Sequence, residues 1–144
     1  MTKRRTVSRT RVIGASAADV FDLLADPTKH SMIDGSGTVK GSRPGVPSRL
    51  SLGATFGMDM KLGAPYRIEN TVVEFEDNRT IAWRHFGGHR WKYELEQVDC
   101  GTKVTETFDW STSKGPLLLE LAGAPKRNTK AIEKTLDRLA AHFA

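Results

Sequence analysis

Cysteine is almost missing from this sequence. Cys100 stands alone, so no disulfide can form within the chain, and a reducing, cytoplasmic setting is the expectation. No apolar run approaches the roughly 20 residues that cross a bilayer as a helix. The opening MTKRRTVSRTRV carries charge but lacks the apolar segment of a secretory signal. The patterns behind several common chemistries are absent as well. His85 and His89 are the only histidines close in sequence, and no cysteine or ordered carboxylate set completes a zinc site, so no metal is expected. The glycine-rich stretch lacks both the dinucleotide fingerprint and the lysine-serine pair of a phosphate loop, so no cofactor is expected either. Cys100 falls in an expected turn with no histidine near it in sequence, which leaves a thiol nucleophile unsupported.

Acidic residues are also missing, but only from one end. Lys3, Arg4, Arg5, Arg9 and Arg11 fall within the first eleven residues without an acid, and beyond them the two signs balance. The net charge of +5 is therefore an N-terminal feature. Residues 1–5 read as a basic tail running into a first strand. Peripheral contact with an anionic surface is open to that tail, but no specific nucleic-acid platform is expected, because the aromatics lie on buried alternation and not beside a basic stripe. At 144 residues the chain is expected to form one domain, 1–144, with a core of its own.

What is present is led by the last stretch. Ile132, Leu136, Leu139 and Phe143 recur at helical spacing among Lys130, Glu133, Lys134, Asp137 and Arg138, which predicts an amphipathic helix from about Lys126 to Phe143. A lone long helix must bury its stripe against a sheet. Strand signals fill the rest. A first strand over Val7–Ile13 leads to a short helix capped by Ser16, and Asp26-Pro27 starts a second over Thr28–Ile33. A modest strand at Thr38–Ser42 precedes a loop containing Pro44, Gly45 and Pro47. Alternating runs then follow at Phe56–Leu62, Tyr66–Glu76, Thr80–Phe86, His89–Val98 and Lys103–Ser111. Their connections are too short for parallel crossovers, so residues 54–111 must form an antiparallel meander. Leu118, Leu121 and Pro125 nearly extend the terminal stripe, which predicts a helical turn or two before Gly123 and a break or kink at Pro125.

The segments ADPTKHSMIDGSGTV, TIAWR, HRWKYELEQVDCGTKVTETFDW and TLDRLAAHF resemble the START-related superfamily of polyketide cyclases, dehydrases and lipid-transport proteins, over about residues 6–143. The resemblance implies an α+β helix-grip fold: a curved antiparallel sheet wrapped around a long C-terminal helix, with two short helices after strand 1. It also implies a cavity between sheet and helix for a small hydrophobic ligand.

Hairpin register locates a candidate site. Centring the last turn on Cys100-Gly101 pairs Leu95 with Glu106, Tyr93 with Phe108 and Trp91 with Trp110, all on one face. A carboxylate among aromatics is costly unless paired or protonated. A bulge turning Glu106 outward, or a partner such as Arg84 or Lys61, would relieve it. The alternative is a polar group set in an apolar cavity. At Gly87-Gly88 a two-residue turn aligns Ala82, Arg84 and Phe86 with His89, Trp91 and Tyr93. A three-residue turn that includes His89 gathers Ile81, Trp83 and His85 instead, and is favoured because it groups the apolar residues. His30 reads as surface or rim.

The expected lining is Met58, Met60, Trp83, Trp91, Tyr93, Leu95, Phe108, Trp110 and Leu136, with Tyr66, Asn70, His85 and Glu106 as the polar groups. The expected function is binding or transport of a small hydrophobic ligand (a lipid, a fatty acid or a polycyclic or aromatic metabolite) in an internal cavity, by a monomer or homodimer. A cyclase- or aromatase-like enzyme using His85 or Glu106 for proton transfer is the alternative, and a filled interaction domain without a cavity is the third. A pocket reaching both His85 and Glu106 would favour the enzyme, and one lined almost only by carbon the carrier.

Overall fold

The computed structural model describes residues 5–43 and 45–144. Of the expected basic tail only Arg5 falls within them, and Pro44 of the expected loop lies outside. Seven strands are formed by the described residues: β1 (Thr6–Ile13), β2 (Val39–Ser42), β3 (Thr55–Leu62), β4 (Ala64–Glu76), β5 (Thr80–His85), β6 (Arg90–Val98) and β7 (Gly101–Asp109). They form one antiparallel sheet in the order β1-β7-β6-β5-β4-β3-β2, so the meander closes with β1 returning beside β7. Irregular pairing between Val72 and Glu74 on β4, and between Val39 and Gly41 on β2, adds local bend of the kind a curved sheet requires.

Helix α1 (Ala17–Leu24) starts where Ser16 accepts from the Asp19 N–H at 3.1 Å, and it buries Val20, Phe21, Leu23 and Leu24. Asp26 accepts from the Thr28 N–H, Pro27 opens a 3-10 turn over Pro27–Lys29, and α2 (His30–Ile33) follows. These short helices close one end of the curved sheet. Helix α4 (Ala124–His142) lies along its concave face, with Ile132, Leu136 and Leu139 buried and Phe143 half-buried against the same core. Part of the N-terminal basic excess is spent here: Arg9 pairs with Glu133 and Arg11 with Asp137, joining the edge strand β1 to α4. Both pairs are exposed, so each contributes no more than about 1 kcal/mol.

Two expectations near α4 need correction. The break falls at Gly123 and not at Pro125. Pro125 sits in the first turn of α4, where its missing N–H has no intrahelical partner to lose. Leu118 and Leu121, expected to extend the buried stripe, are 72% and 86% exposed. They belong to a separate helix, α3 (Pro116–Leu121), which fully buries none of its residues.

The segment after α2 is clamped onto α4. The Gly35 N–H donates to the Thr135 hydroxyl at 2.8 Å, and the Arg138 guanidinium donates to the Asp34 carbonyl. A Cβ on Gly35 would stand 2.2 Å from the Ala131 carbonyl oxygen, so backbone must yield for any larger residue. Gly35→Ala is expected to cost about 1–3 kcal/mol in urea unfolding and to release this segment from α4. An unchanged unfolding midpoint would show that the contact is dispensable.

Candidate functional site

The site follows from how three strands meet. The β6–β7 hairpin turns on Asp99-Cys100 with Val98 opposite Gly101, so the expected register is wrong by two residues. Gly101 is the first residue of the strand, not part of the turn: it passes so close to the Ile13 carbonyl that a Cβ would lie 2.0 Å from its oxygen. The pairs are Leu95–Val104, Tyr93–Glu106 and Trp91–Phe108. Because the slip is even, the same six side chains stay on the inner face. The β5–β6 connection has three residues, but they are Phe86, Gly87 and Gly88. The His85 N–H donates to the His89 carbonyl at 2.9 Å, and Trp83 faces Trp91. Ile81, Trp83 and His85 do share the inner face with Trp91 and Tyr93, and His89 joins them.

Between this face and the first half of α4 lies a cavity of about 300 Å³. Met58, Met60, Tyr66, Asn70 and Trp83 line it, as do His85, Trp91, Tyr93, Glu106 and Phe108. Leu95, Trp110 and Leu136 are buried but do not reach it. The inner face is longer than the cavity. Leu136 lies beyond Thr135, where the α4 lining ends, and the Trp110 indole N–H is drawn to Glu120 of α3 at 3.4 Å.

Several lining residues were not anticipated, among them Asp34, Phe56, Arg127 and Asn128, and three groups stand out. His30, read as surface or rim, is 8% exposed; its ring stacks on Trp83 at 4.9 Å and its Nε2 bonds the Leu24 carbonyl. His89 stacks on His85 at 4.3 Å. Ala131, Ile132 and Thr135 supply the α4 wall. The stripe on α4 hinted at the last group through Ile132. The two histidines carried no periodic signal strong enough to place them.

The polar chemistry is concentrated in a few atoms. Glu106 is 4% exposed and neither bulges outward nor meets Arg84 or Lys61. Arg9, opposite it on β1, pairs with Glu133. The Tyr93 hydroxyl lies beside Glu106, faces it across the β6–β7 ladder, and favours its ionised form. Glu106 Oε1 and Asn70 Oδ1 are both buried without a hydrogen-bonding partner from the protein. Burial, with the Asp34 charge adding to it, pushes the Glu106 carboxyl up to about 8, against the opposing pull of Tyr93. Burial lowers His30 and His85 below the usual imidazole range, and burial with the neighbouring His85 lowers His89 to about 4. Glu106 and the three histidines are thus mostly uncharged near pH 7, while Asp34 and Arg127 also line the cavity. The Gly87 N–H donates to His85 Nδ1 at 2.9 Å, which leaves Nε2 to carry the ring proton. Among the described residues no cluster of His, Cys, Asp and Glu could hold a metal ion, and no helix is long and apolar enough to cross a membrane.

Comparison with known proteins places this geometry. Residues 4–144 match the family model described as polyketide cyclase / dehydrase and lipid transport. The chain is 41% identical to the uncharacterized protein Rv0088 of Mycobacterium tuberculosis, over 96% of this chain and 64% of that protein, so it spans about two-thirds of its relative. Among solved structures, protein CV1439 from Chromobacterium violaceum superposes with a TM-score of 0.75 at 16% identity, covering 96% of both chains. The Polyketide_cyc-like protein Cgl2372 from Corynebacterium glutamicum gives 0.64 at 22% identity, over 99% of this chain and 91% of that one. At these identities the two structures speak for the fold alone.

Proposed function

This chain belongs to the polyketide cyclase/dehydrase and lipid-transport family, and from that premise we propose that it binds a small, uncharged, largely apolar ligand between α4 and the sheet. The observation that carries the reading is the cavity itself, lined by aromatic rings and methionines, with two buried oxygens that the protein leaves unpaired. An unpaired buried acceptor costs about 1–3 kcal/mol. A ligand that brings a hydroxyl or N–H to Asn70 Oδ1 and a polar atom to Glu106 recovers that cost, while its body fills the apolar wall. Fatty-acid carboxylates suit the interior poorly, because burying an ionised carboxylate costs several kcal/mol unless it is paired, and Glu106 and Asn70 offer it no cation.

The same cavity supports a second reading, since it reaches both His85 and Glu106. A neutral carboxylic acid with its pKa near 8 is suited to giving a proton to a carbonyl oxygen and taking one back during ring closure or dehydration. Native mass spectrometry of gently purified protein tests the binding reading: a retained small molecule, released on unfolding, is the expected result. Once that ligand is known, Glu106→Gln separates the two. A carrier keeps its affinity within about tenfold, whereas proton transfer through Glu106 predicts a rate loss of about 10²–10⁴-fold.

A further inference from the structure

We infer that the outer face of the sheet carries an anion-binding site built from Arg84, Arg90 and Lys114, for a phosphate or carboxylate group. Arg84 on β5 lies directly opposite Arg90 on β6. Like charges in that relation repel, and a sheet normally sets an acid beside them. Asp109, directly opposite Arg90 on β7, leaves its charge nearby but makes no ion pair with Arg90, and its Oδ1 accepts from both the N–H and the hydroxyl of Ser111. Glu69 lines the same cleft, yet the ion pairs among the described residues lie elsewhere and none joins it to either guanidinium.

Arg90 adds an independent observation. Its Nε is buried and meets no acceptor from the protein, a costly state for a charged donor. Lys114 is brought to the cleft by the segment after β7, which is fixed in place. The Lys114 N–H donates to the Gly87 carbonyl at 3.0 Å, and the Thr112 hydroxyl donates to the Gly88 carbonyl at 2.6 Å. Two guanidinium forks in one cleft, with Lys114 on its lining, match the oxygens of a phosphate or carboxylate.

His85 lines both this cleft and the inner cavity, so the site stands beside one end of the cavity. The anion is either free or the head group of a ligand whose apolar body lies inside; only the second source rests on the function proposed above.

The test is an NMR titration of the arginine Nε–H signals with inorganic phosphate, at ionic strength held constant with chloride. A saturable shift of the Arg90 signal is expected, with Arg84→Gln weakening binding by about tenfold, the loss of one charge-assisted contact. No shift beyond that in chloride, or an affinity unchanged by Arg84→Gln, would overturn the proposal. Octyl phosphate is the second probe. Binding at least tenfold tighter than inorganic phosphate, with the gain lost in a cavity-filled Ala131→Phe variant, identifies a head-group site. Equal affinity for the two probes identifies a site for the free anion. Failure of the cavity reading removes only the gain from the alkyl chain and leaves the phosphate result standing.

Discussion

Glu106→Gln is expected to stabilise the protein by about 3 kcal/mol at pH 7 and to change the shape of its pH–stability profile. The folded-state pKa is raised from 4.5 to about 8, so the folded protein holds a proton that the unfolded chain releases. The stabilisation is fully present below about pH 4.5 and is lost as pH rises towards 8. Each pH unit in that window costs about 1.4 kcal/mol, which gives about 3 kcal/mol by pH 7. The amide keeps the shape and an acceptor oxygen beside Tyr93 but has no proton to lose. The histidines act in the opposite direction. Their lowered values contribute stability that is present above about pH 6.5 and is lost as pH falls. Wild-type protein should therefore weaken on both sides of a slightly acidic optimum, and the variant only on the acid side. Urea unfolding at a series of pH values measures this. Parallel profiles for the two proteins would show that Glu106 is already ionised when buried, with a partner that the geometry does not reveal.

Leu136→Ala is expected to cost about 2–5 kcal/mol, the range for emptying a fully packed leucine site. Leu136 is 3% exposed and sits mid-way along α4 against the sheet. Leu118 on α3, at 72% exposure, is the matched control, and Leu118→Ala should stay within about 0.5 kcal/mol. The contrast matters because both leucines belong to what reads, in sequence, as one stripe. A Leu136→Ala loss below about 0.5 kcal/mol would mean that the helix is not gripped by the sheet.

Much of the fold was legible because periodicity survives errors of register. The stripe Ile132, Leu136, Leu139 identified the terminal helix, and alternation in Phe56–Leu62 and Trp91–Leu95 identified half-buried strands. Both hairpins pair two residues away from the expected register, yet Glu106, Tyr93 and Trp91 kept their face, since a side-chain period of two is unchanged by an even slip. The site was less legible for the same reason. Alternation says which side a residue faces, but not where along that side the packing stops. Leu95, Trp110 and Leu136 share a face with the lining and lie where the core is filled. Burial of His30 depended on α2 folding under Trp83, a contact between segments about fifty residues apart that no local pattern encodes. Leu118 and Leu121 of α3 were expected in the buried stripe because the four leucines of PLLLEL look buried to any count of apolar residues, yet of the four only Leu119 packs against the core.

The most direct measurement is a fluorescence titration with N-phenyl-1-naphthylamine, a neutral apolar dye that carries one N–H donor, on wild-type protein and on Ala131→Phe. Ala131 lies on the α4 wall of the cavity and is itself buried, so a phenyl ring there occupies the space a ligand would use, at a cost of about 1–3 kcal/mol for overpacking. The expected result is saturable binding of one dye per wild-type chain with a blue-shifted emission, lost in a variant whose circular dichroism and cooperative unfolding are retained. Absence of binding to the wild type, or equal binding to a folded Ala131→Phe variant, would contradict a ligand site between α4 and the sheet.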